Sequence, residues 1–258
     1  MKKKCALFGF LLIFYICSGQ AKYGAPEVDP VIIQNKFMDW LKYQDKNIML
    51  SRDFVSLDST SKKIAKDVFL NELILGNFIP IRLQSEDSLI YYKLFKIEPT
   101  SDTSIKATIV ASAIEEYEHL KMEGKAFPKF NFTDLNGNII SNETMSGKII
   151  VIKCWYIHCA ACVKEFPNVN KLAEKYKDRK DILFISLAED TPQQLKVFLA
   201  KKMLLYSVVP NMKIYMNEIL NLNAFPTHFI INKKGTISKV LLNYESLEVA
   251  LKNEIGEE

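Results

Sequence analysis

The chain has 258 residues, of which 48% are hydrophobic and 25% charged, and its formal net charge is +4. This length is comfortable for two domains of ordinary size, and the balance of apolar and charged residues excludes an intrinsically disordered protein. Three positive charges belong to Lys2, Lys3 and Lys4, so the rest of the chain is nearly neutral and gives no reason to expect binding to nucleic acid.

The N-terminus has the pattern of a secretory signal. Three lysines are followed by an apolar run, Ala6 to Ile16, and then by small residues that end at Gly19. The run is shorter than the roughly 20 apolar residues that cross a bilayer. We therefore predict an exported protein of the periplasm or cell envelope, with a signal peptide over residues 1–19 that is cleaved after Gly19 or, as second choice, after Ala21. An uncleaved membrane anchor and a lipid-modified Cys17 are the alternatives.

Five cysteines are present, and two of them, Cys5 and Cys17, fall within the predicted signal. The other three, Cys154, Cys159 and Cys162, lie within nine positions of the chain. Cysteines that cluster in this way cannot link two domains, which excludes a framework of structural disulfides. The cluster indicates a local redox site or a metal site.

Residues 20–122 predict a small α+β domain whose role the sequence does not reveal. Apolar residues at helical spacing indicate three helices, and the first of them has a cap at Asp29–Pro30. The apolar stripes are expected to form a core, and this region shows no catalytic constellation. The expected elements are a helix from Asp29, a helix Ser61–Leu75, strands Phe78–Leu83 and Leu89–Ile97, and a helix Ser104–Met122.

Residues 123–258 have a different pattern of apolar residues, and the stretch Glu123–Pro128 marks the predicted domain boundary. A hairpin at Asn136–Gly137 precedes an apolar, β-branched strand, after which strands and helices alternate. Such alternation predicts an α/β sandwich. The expected elements are strands Ile149–Ile152, Ile182–Leu187, Phe229–Ile231 and Thr236–Leu241, and helices Cys159–Tyr176, one from Thr191, and Ser246–Ile255.

The pair Cys159 and Cys162 directly follows the buried strand and opens a helix. The spacing allows both sulfurs to meet across one helical turn. At a helix N-terminus, free backbone amides and the helix dipole favour a thiolate, and they lower the pKa of such thiols from about 8.5 to roughly 3.5–7.5. Cys159 is therefore the expected nucleophile, and Cys162, one turn deeper, is the thiol expected to resolve the mixed disulfide.

Around this pair, residues from about 125 to 255 resemble the thioredoxin superfamily, and more narrowly the TlpA/ResA-type envelope thiol-disulfide oxidoreductases. The resemblance rests on several motifs in a fixed order and not on the cysteine pair alone. These are Ala126–Phe130, Asp134–Gly137, Gly147–Lys148, Trp155 ahead of the cysteines, Glu165 and Pro167 after them, and Phe225–Thr227. The resemblance implies a thioredoxin fold, a three-layer sandwich, for residues 123–258.

The resemblance also implies roles for individual residues. Pro226 is expected to follow a cis peptide bond and, with Phe225 and Thr227, to present backbone to an incoming client. Glu165 matches the acidic residue that this branch keeps near the cysteines. The dipeptide Ala160–Ala161 lacks the proline common there, and this dipeptide influences the redox potential, so the direction of exchange stays open. The expected partners are protein thiols or disulfides and a membrane electron donor, and no cofactor is expected.

Three further residues near the cysteines are candidate site residues. Lys153 stands where thioredoxins place a buried acid, so we expect it to pair with Glu165; a lysine that reaches the surface along the strand edge is the alternative. In the pair, Lys153 would favour the thiolate of the resolving cysteine, and Glu165 would accept or relay its proton. Trp155 is either a substrate contact or a packing residue. His158, which replaces the usual tryptophan, either favours the nucleophilic thiolate or lies at the rim.

Other chemistries fit the sequence less well. A closed zinc site needs four ligands, and the sequence has no second cysteine pair, so no metal is expected. A thiol peroxidase, one alternative function, would have threonine three positions before the nucleophile, where Tyr156 stands. A non-catalytic envelope binding module on a thioredoxin scaffold is the other. Cys154 is expected to be an inert core residue, with a third redox thiol as the alternative, and strand packing accounts for His228.

Overall fold

The structure, a computed structural model, describes residues 22–257. The predicted export signal and its cleavage sites lie outside these described residues. Within residues 22–257, no helix is both long enough and apolar enough to cross a membrane. The described chain forms two five-stranded sheets, one from each half, and a separate two-stranded hairpin.

The first half folds around one mixed sheet with the strand order β1-β4-β5-β2-β3, in which β5 and β2 are parallel and the other neighbours antiparallel. Three helices pack against it, and their apolar faces enclose a core around Trp40, Phe69 and Tyr92. The elements are β1 (Tyr23–Pro26), α1 (Phe37–Asn47), β2 (Val55–Leu57), β3 (Lys63–Ile64), α2 (Lys66–Ile74), β4 (Phe78–Ser85), β5 (Tyr91–Lys96) and α3 (Thr103–Met122).

Two helices of this half begin later than the sequence predicts. Asp29 accepts hydrogen bonds from two backbone N–H groups, but it caps a single 3-10 turn, Ile32–Gln34, and α1 begins only at Phe37. The second helix begins at Lys66, because Lys63–Ile64 pairs as β3 with β2. Sheet pairing thus overrides the weak local preference for helix before Lys66, whereas the segment after Asp29 forms a short 3-10 turn that does not continue into α1.

The second half is a three-layer α/β sandwich, as the resemblance implies. Its sheet has the order β10-β9-β8-β11-β12, with β10, β9 and β8 parallel and β11 and β12 antiparallel to their neighbours. The hairpin of β6 and β7 precedes it. The elements are β6 (Asn131–Thr133), β7 (Ile139–Ser141), α4 (Asn142–Met145), β8 (Ile149–Trp155), α5 (Ala160–Lys164), α6 (Phe166–Lys175), β9 (Ile182–Ala188), α7 (Pro192–Leu199), β10 (Ser207–Val209), β11 (Thr227–Ile231), β12 (Ile237–Leu241) and α8 (Tyr244–Ile255).

Strand β8 lies at the centre of this sheet and divides the core into two sides. All seven of its residues are buried. Side chains alternate between the two faces of a strand, so Val151 and Trp155 pack into the apolar cluster that contains both site cysteines, whereas Ile152 and Cys154 pack into a second cluster on the opposite face. The segment after β8, which contains the site cysteines, therefore begins at a fully buried central strand.

The predicted helix Cys159–Tyr176 is two helices, α5 and α6, that meet at Glu165. Pro167 lies in the first turn of α6, where a missing N–H leaves no hydrogen bond unmade, and this favours a new helix start. Strand β10 and a π-helical turn at Tyr215–Ile219 have no counterpart among the predicted elements. Both are short, and hydrophobic periodicity identifies such short segments poorly.

Polar side chains connect the two halves. Arg52 donates from Nε to Ser246 Oγ over 3.1 Å. Lys239 on β12 lies 2.5 Å from Asp53 Oδ1 and 3.3 Å from Glu123 Oε2, measured from its Nζ. The second contact reaches the residue that directly follows α3, so β12 contacts both the segment before β2 and the end of α3.

A buried carboxylate and a half-buried lysine lie close to this contact. Glu116 on α3 is 7% exposed, and burial raises its pKa to about 8 against the attraction of Lys66. Burial lowers the pKa of Lys66, whose Nζ donates to Arg52 O over 3.0 Å. The charges of Glu123 and Lys239 also act on Lys66, so this charged cluster extends across the boundary between the halves.

Candidate active site

The two site cysteines lie where β8 ends and α5 begins. Cys159 is the N-cap of α5, and its Sγ accepts a hydrogen bond from the backbone N–H of Cys162 over 3.1 Å. The cysteines form a disulfide, with their Cα atoms 5.2 Å apart. Cys159 is 6% exposed and Cys162 is fully buried. The more accessible sulfur thus belongs to Cys159, at a helix start that favours a thiolate.

The loop between β8 and α5 is held in place by hydrogen bonds to its backbone. Asp190 accepts one at Oδ2 from the N–H of Ile157 over 2.8 Å, and the N–H of Cys159 donates to Tyr156 O over 3.1 Å. His158 is exposed on this loop, directly before the nucleophile in sequence. It therefore lies at the rim of the site.

The loop before β11 packs against the cysteine-bearing loop. The peptide bond between Phe225 and Pro226 is cis, as the resemblance implies. The half-buried Phe225 ring meets Tyr156 edge-on, with the ring centroids 5.6 Å apart. Thr227 is buried, and its Oγ1 donates to Ala224 O over 2.7 Å. The hydroxyl of Thr227 therefore orients the loop, whereas Phe225 remains partly accessible to a client.

Lys153 and Glu165 form the ion pair that the sequence predicts. Lys153 is fully buried, and its Nζ lies 2.7 Å from Glu165 Oε2, so this lysine does not reach the surface along the strand edge. The other carboxylate oxygen of Glu165, Oε1, accepts a hydrogen bond from the backbone N–H of Tyr244 over 2.8 Å. The carboxylate thus connects β8, the junction of α5 and α6, and the start of α8.

The structure adds His228, which the sequence analysis left out of the site. It lies opposite Lys153 in the register of β11 and β8, and its Nε2 is 3.0 Å from Glu165 Oε2. His228 is fully buried, and its Nδ1 has no hydrogen-bond partner among residues 22–257. Two signals could have found it: a basic side chain inside an otherwise apolar strand, two positions after Pro226, and a buried lysine that requires polar neighbours.

The charges of these three residues follow from their contacts. Burial opposes ionisation of Glu165, but the hydrogen bond and charge of His228, and then the charge of Lys153, outweigh burial and lower the Glu165 pKa to about 2. Burial and the charge of Lys153 lower the pKa of His228 to about 4. At neutral pH Glu165 is therefore ionised and His228 is neutral, while burial lowers the pKa of Lys153 against the charge and hydrogen bond of Glu165. A carboxylate with so low a pKa is a weak proton acceptor, which argues against the proton-relay role expected for Glu165.

Trp155 and Cys154, adjacent at the end of β8, are both fully buried. Trp155 packs edge-on against Phe166, with centroids 4.9 Å apart, and donates from Nε1 to Ser186 Oγ over 2.5 Å. Trp155 is therefore a packing residue. Because it is fully buried, it is not a substrate contact. Cys154 faces the side of the sheet opposite the disulfide, and burial raises its pKa. This is the environment of an inert core thiol.

The site residues thus form an accessible layer above a buried layer. The accessible layer contains Cys159, His158 and Phe225, and the buried layer contains Cys162, Lys153, Glu165, His228, Pro226 and Thr227. Among the described residues, 22–257, no group of three or more Cys, His, Asp or Glu side chains is arranged to hold a metal ion. The arrangement can present one sulfur to a client and keep the second directly behind it.

Comparison with known proteins finds similarity in this half of the chain. The profile of the AhpC/TSA family matches residues 124–240. Thiol-disulfide oxidoreductase ResA of Bacillus anthracis is 30% identical over 126 residues, which are 48% of this chain and 72% of that protein. Thioredoxin-like protein YneN of Bacillus subtilis (strain 168) is 27% identical over 120 residues, which are 46% of this chain and 70% of that protein.

Solved structures that match this chain also align over about half of it. The thioredoxin domain of a thiol-disulfide oxidoreductase from Bacteroides vulgatus aligns with a TM-score of 0.47 at 21% identity, and the alignment covers 51% of this chain and 96% of that one. A thiol-disulfide oxidoreductase from Bacteroides fragilis NCTC 9343 aligns with a TM-score of 0.46 at 18% identity, over 50% of this chain and 98% of that one. Each of these matches involves about half of the chain.

Proposed function

The chain belongs to the ResA family of thiol-disulfide oxidoreductases, and we propose that it exchanges thiols and disulfides with protein clients through Cys159 and Cys162. The observation that carries this proposal is the disulfide between the two cysteines at the start of α5. Dithiol exchange needs one accessible sulfur and a second sulfur behind it, and Cys159 and Cys162 have these two environments.

In the reducing direction, the Cys159 thiolate attacks one sulfur of a client disulfide. A disulfide forms between Cys159 and the client, and the other client sulfur leaves as a thiolate that takes up a proton. Cys162 then attacks the Sγ of Cys159 as a thiolate, and the second client sulfur leaves. The client has gained two electrons, and the enzyme holds the Cys159–Cys162 disulfide, which is the state of the pair in the structure. We propose that a membrane electron donor returns the two electrons.

An insulin-reduction assay with a dithiol as electron source tests this function. Cys159→Ser removes the attacking sulfur and should lower the rate at least about a hundredfold. Cys162→Ser should trap clients as mixed disulfides on Cys159, because attack can occur but resolution cannot. The matched control is Cys154→Ala, which should turn over like the wild type because that thiol lies on the other face of the sheet.

Three outcomes would redirect the proposal. Trapping in Cys159→Ser would reverse the roles of the two cysteines. A wild-type protein that reduces no insulin but binds envelope proteins would favour the non-catalytic binding module. Consumption of hydrogen peroxide faster than insulin disulfides would favour the thiol peroxidase, although the ring of Tyr156, packed on Phe225, occupies the position where a peroxidase has threonine.

We also propose that Lys153 favours the thiolate of Cys162 in the reduced enzyme. Lys153 lies on the face of β8 that packs against both cysteines, and Glu165 and His228 fix its position. Lys153→Met should therefore raise the pKa of Cys162 and slow resolution more than attack. Glu165→Gln removes the carboxylate that holds the buried Lys153 charged, so it should shift that pKa in the same direction. The pH dependence of thiol alkylation measures both shifts. Curves like the wild type in both variants would eliminate this role.

The proposed location is the cell envelope. The basic start and the apolar run that ends before Gly19 support export. N-terminal sequencing of the protein from an envelope fraction should find Gln20 as the first residue. A chain that begins at Met1 and is recovered from the cytoplasmic fraction would contradict export.

A further inference from the structure

A groove of about 350 Å³ lies between α3 of the first domain and the loop that leads into the cis-proline of the second. Its position is defined by Ala224, which lines the groove and directly precedes Phe225. The groove therefore opens beside the backbone segment that the proposed function assigns to client binding. Its lining includes Ile114, Glu115, Glu118 and His119 from α3, and Asn221 and Ala224 from the loop.

The lining combines an apolar surface with negative charge. Ile114 is 46% exposed, although it is a large aliphatic side chain on a packed helix. Glu118 is partly exposed and pairs with Lys121 on the outer side of α3. Glu115 is different, because its Oε1 is buried and has no hydrogen-bond partner among residues 22–257. Burial raises the pKa of Glu115, and a cation in the groove would oppose this shift because it stabilises the ionised carboxylate.

A second polar group on the same wall also lacks a partner. His119 lines the groove and is 4% exposed, and its Nδ1 makes no hydrogen bond within the described part of the chain. Burial lowers the pKa of His119 to about 4, so at neutral pH it adds no positive charge to the groove. Buried polar groups are nearly always hydrogen-bonded, and two unpaired polar atoms on one wall, of which the Glu115 oxygen is an acceptor, indicate a place for a ligand that makes hydrogen bonds.

We propose that this groove binds a lysine or arginine side chain of an extended client segment, at a position that flanks the cysteine attacked by Cys159. Such a side chain has an apolar stem, which can lie on Ile114, and a cationic head that donates several hydrogen bonds, which Glu115 and Glu118 can accept. The proposal rests on the proposed function, because it requires a client along the Phe225–Pro226 loop. It gives the first domain a role in the choice of clients.

The test uses the full chain, reduced beforehand, and short peptides whose single cysteine carries a fluorescent thiol leaving group in disulfide linkage. Lysine, norleucine or glutamate is placed in turn at each of the three positions on either side of the cysteine. At the position that reaches the groove, the second-order rate constant should be about fivefold higher with lysine than with glutamate, and added salt should reduce this ratio. Norleucine should fall between them, because it keeps the stem and lacks the charge.

The variant Glu115→Gln/Glu118→Gln should bring the lysine-to-glutamate ratio close to one. The control is Glu86→Gln in an exposed turn of the first domain's sheet, which removes one carboxylate charge, as Glu118→Gln does, and it should keep the preference. Glu118→Gln alone, at a partly exposed position, provides the measurement should the double variant not fold.

The outcomes separate this proposal from the function on which it rests. An enzyme that attacks none of the peptides would overturn the exchange function itself. Equal rates with all peptides, or a preference that survives in Glu115→Gln/Glu118→Gln, would overturn only the groove. An equal loss of preference in Glu86→Gln would show that the net charge of the protein, and not this groove, selects the peptide.

Discussion

Both domains bury charged side chains, but they do so in different ways. In the second domain, Glu165 Oε2 lies 2.7 Å from Lys153 Nζ and 3.0 Å from His228 Nε2, and Glu165 Oε1 accepts a hydrogen bond from a backbone N–H. In the first domain, the ammonium group of Lys66 donates to a backbone carbonyl, and Glu116 interacts with it only as a charge in a buried region.

The partners of a buried carboxylate decide whether it is ionised. Glu165 and Glu116 are both largely buried, but the pKa of Glu165 is lowered to about 2 and that of Glu116 is raised to about 8. Hydrogen-bond partners, not depth, account for the opposite signs. The second domain therefore holds a fixed charge beside its dithiol, whereas the first domain contains a carboxylate that titrates near neutral pH.

The largest expected effect comes from breaking the ion pair of the second domain. Glu165→Gln leaves Lys153 buried without a counter-charge and should lower the free energy of unfolding by about 3 kcal/mol or more. Lys153→Met removes the buried cation and leaves Glu165 with two other partners, so its effect should be about 1 kcal/mol. The double variant should resemble Lys153→Met, since no unpaired charge remains. Urea unfolding followed by Trp155 fluorescence measures these values.

The matched control is Glu174→Gln on α6, whose side chain is 58% exposed and pairs with Lys177. This substitution should change the free energy of unfolding by less than about 0.5 kcal/mol. Equal effects of Glu165→Gln and Glu174→Gln would mean that the buried trio is not an electrostatic unit, and the contrast between the two domains would fail.

The sequence identifies the dithiol because the features that define it are local. A buried strand, a cysteine pair with two residues between, a helix and a later Phe-Pro-Thr loop all follow from short stretches of chain. The cis bond before Pro226 and the more accessible position of Cys159 agree with these expectations. The pairing of Lys153 with Glu165 could also be inferred, because a lysine in a buried strand requires a partner.

The remaining features depend on contacts between distant segments. His228 joins the site only because β11 pairs with β8 in a register that places it opposite Lys153. The first turn expected after Ser61 is replaced by β3, because Lys63–Ile64 pairs with β2. No local pattern contains this information.

An intermediate effect should appear in the pH dependence of the two domains between pH 6.5 and 8. Glu116 has a folded pKa near 8, above its ordinary value of 4.5, so between these two values the unfolded chain is ionised while the folded chain keeps the proton. The stability of the first domain should therefore fall as pH rises toward 8, by about 1.5 kcal/mol between pH 6.5 and 8. His228 and Glu165 have lowered pKa values, so they should not change the stability of the second domain in this window. They should lower its stability only below about pH 6.5.

Each domain contains one buried tryptophan, which allows the two to be followed separately. Urea unfolding of Trp155→Phe reports on Trp40 in the first domain, and Trp40→Phe reports on Trp155 in the second. Glu116→Gln should abolish the slope of the first domain between pH 6.5 and 8. One common transition with a single pH dependence in both tryptophan variants would show that the halves unfold as one unit and would end the comparison.

The smallest effect is expected at the contact between the halves, and it separates distance from burial as the cause of stability. Lys239 lies 2.5 Å from Asp53, closer than Lys153 lies to Glu165, but the side chain of Asp53 is 68% exposed. Water solvates an exposed carboxylate almost as well as the lysine does, so Asp53→Asn should change the free energy of unfolding by less than about 0.5 kcal/mol. Glu123, whose side chain is 15% exposed and which also accepts from Val240 N–H, should matter more, by about 1 kcal/mol in Glu123→Gln. Urea unfolding at low and high salt measures both changes. A larger effect in Asp53→Asn than in Glu123→Gln would mean that ion-pair distance outweighs burial in this protein.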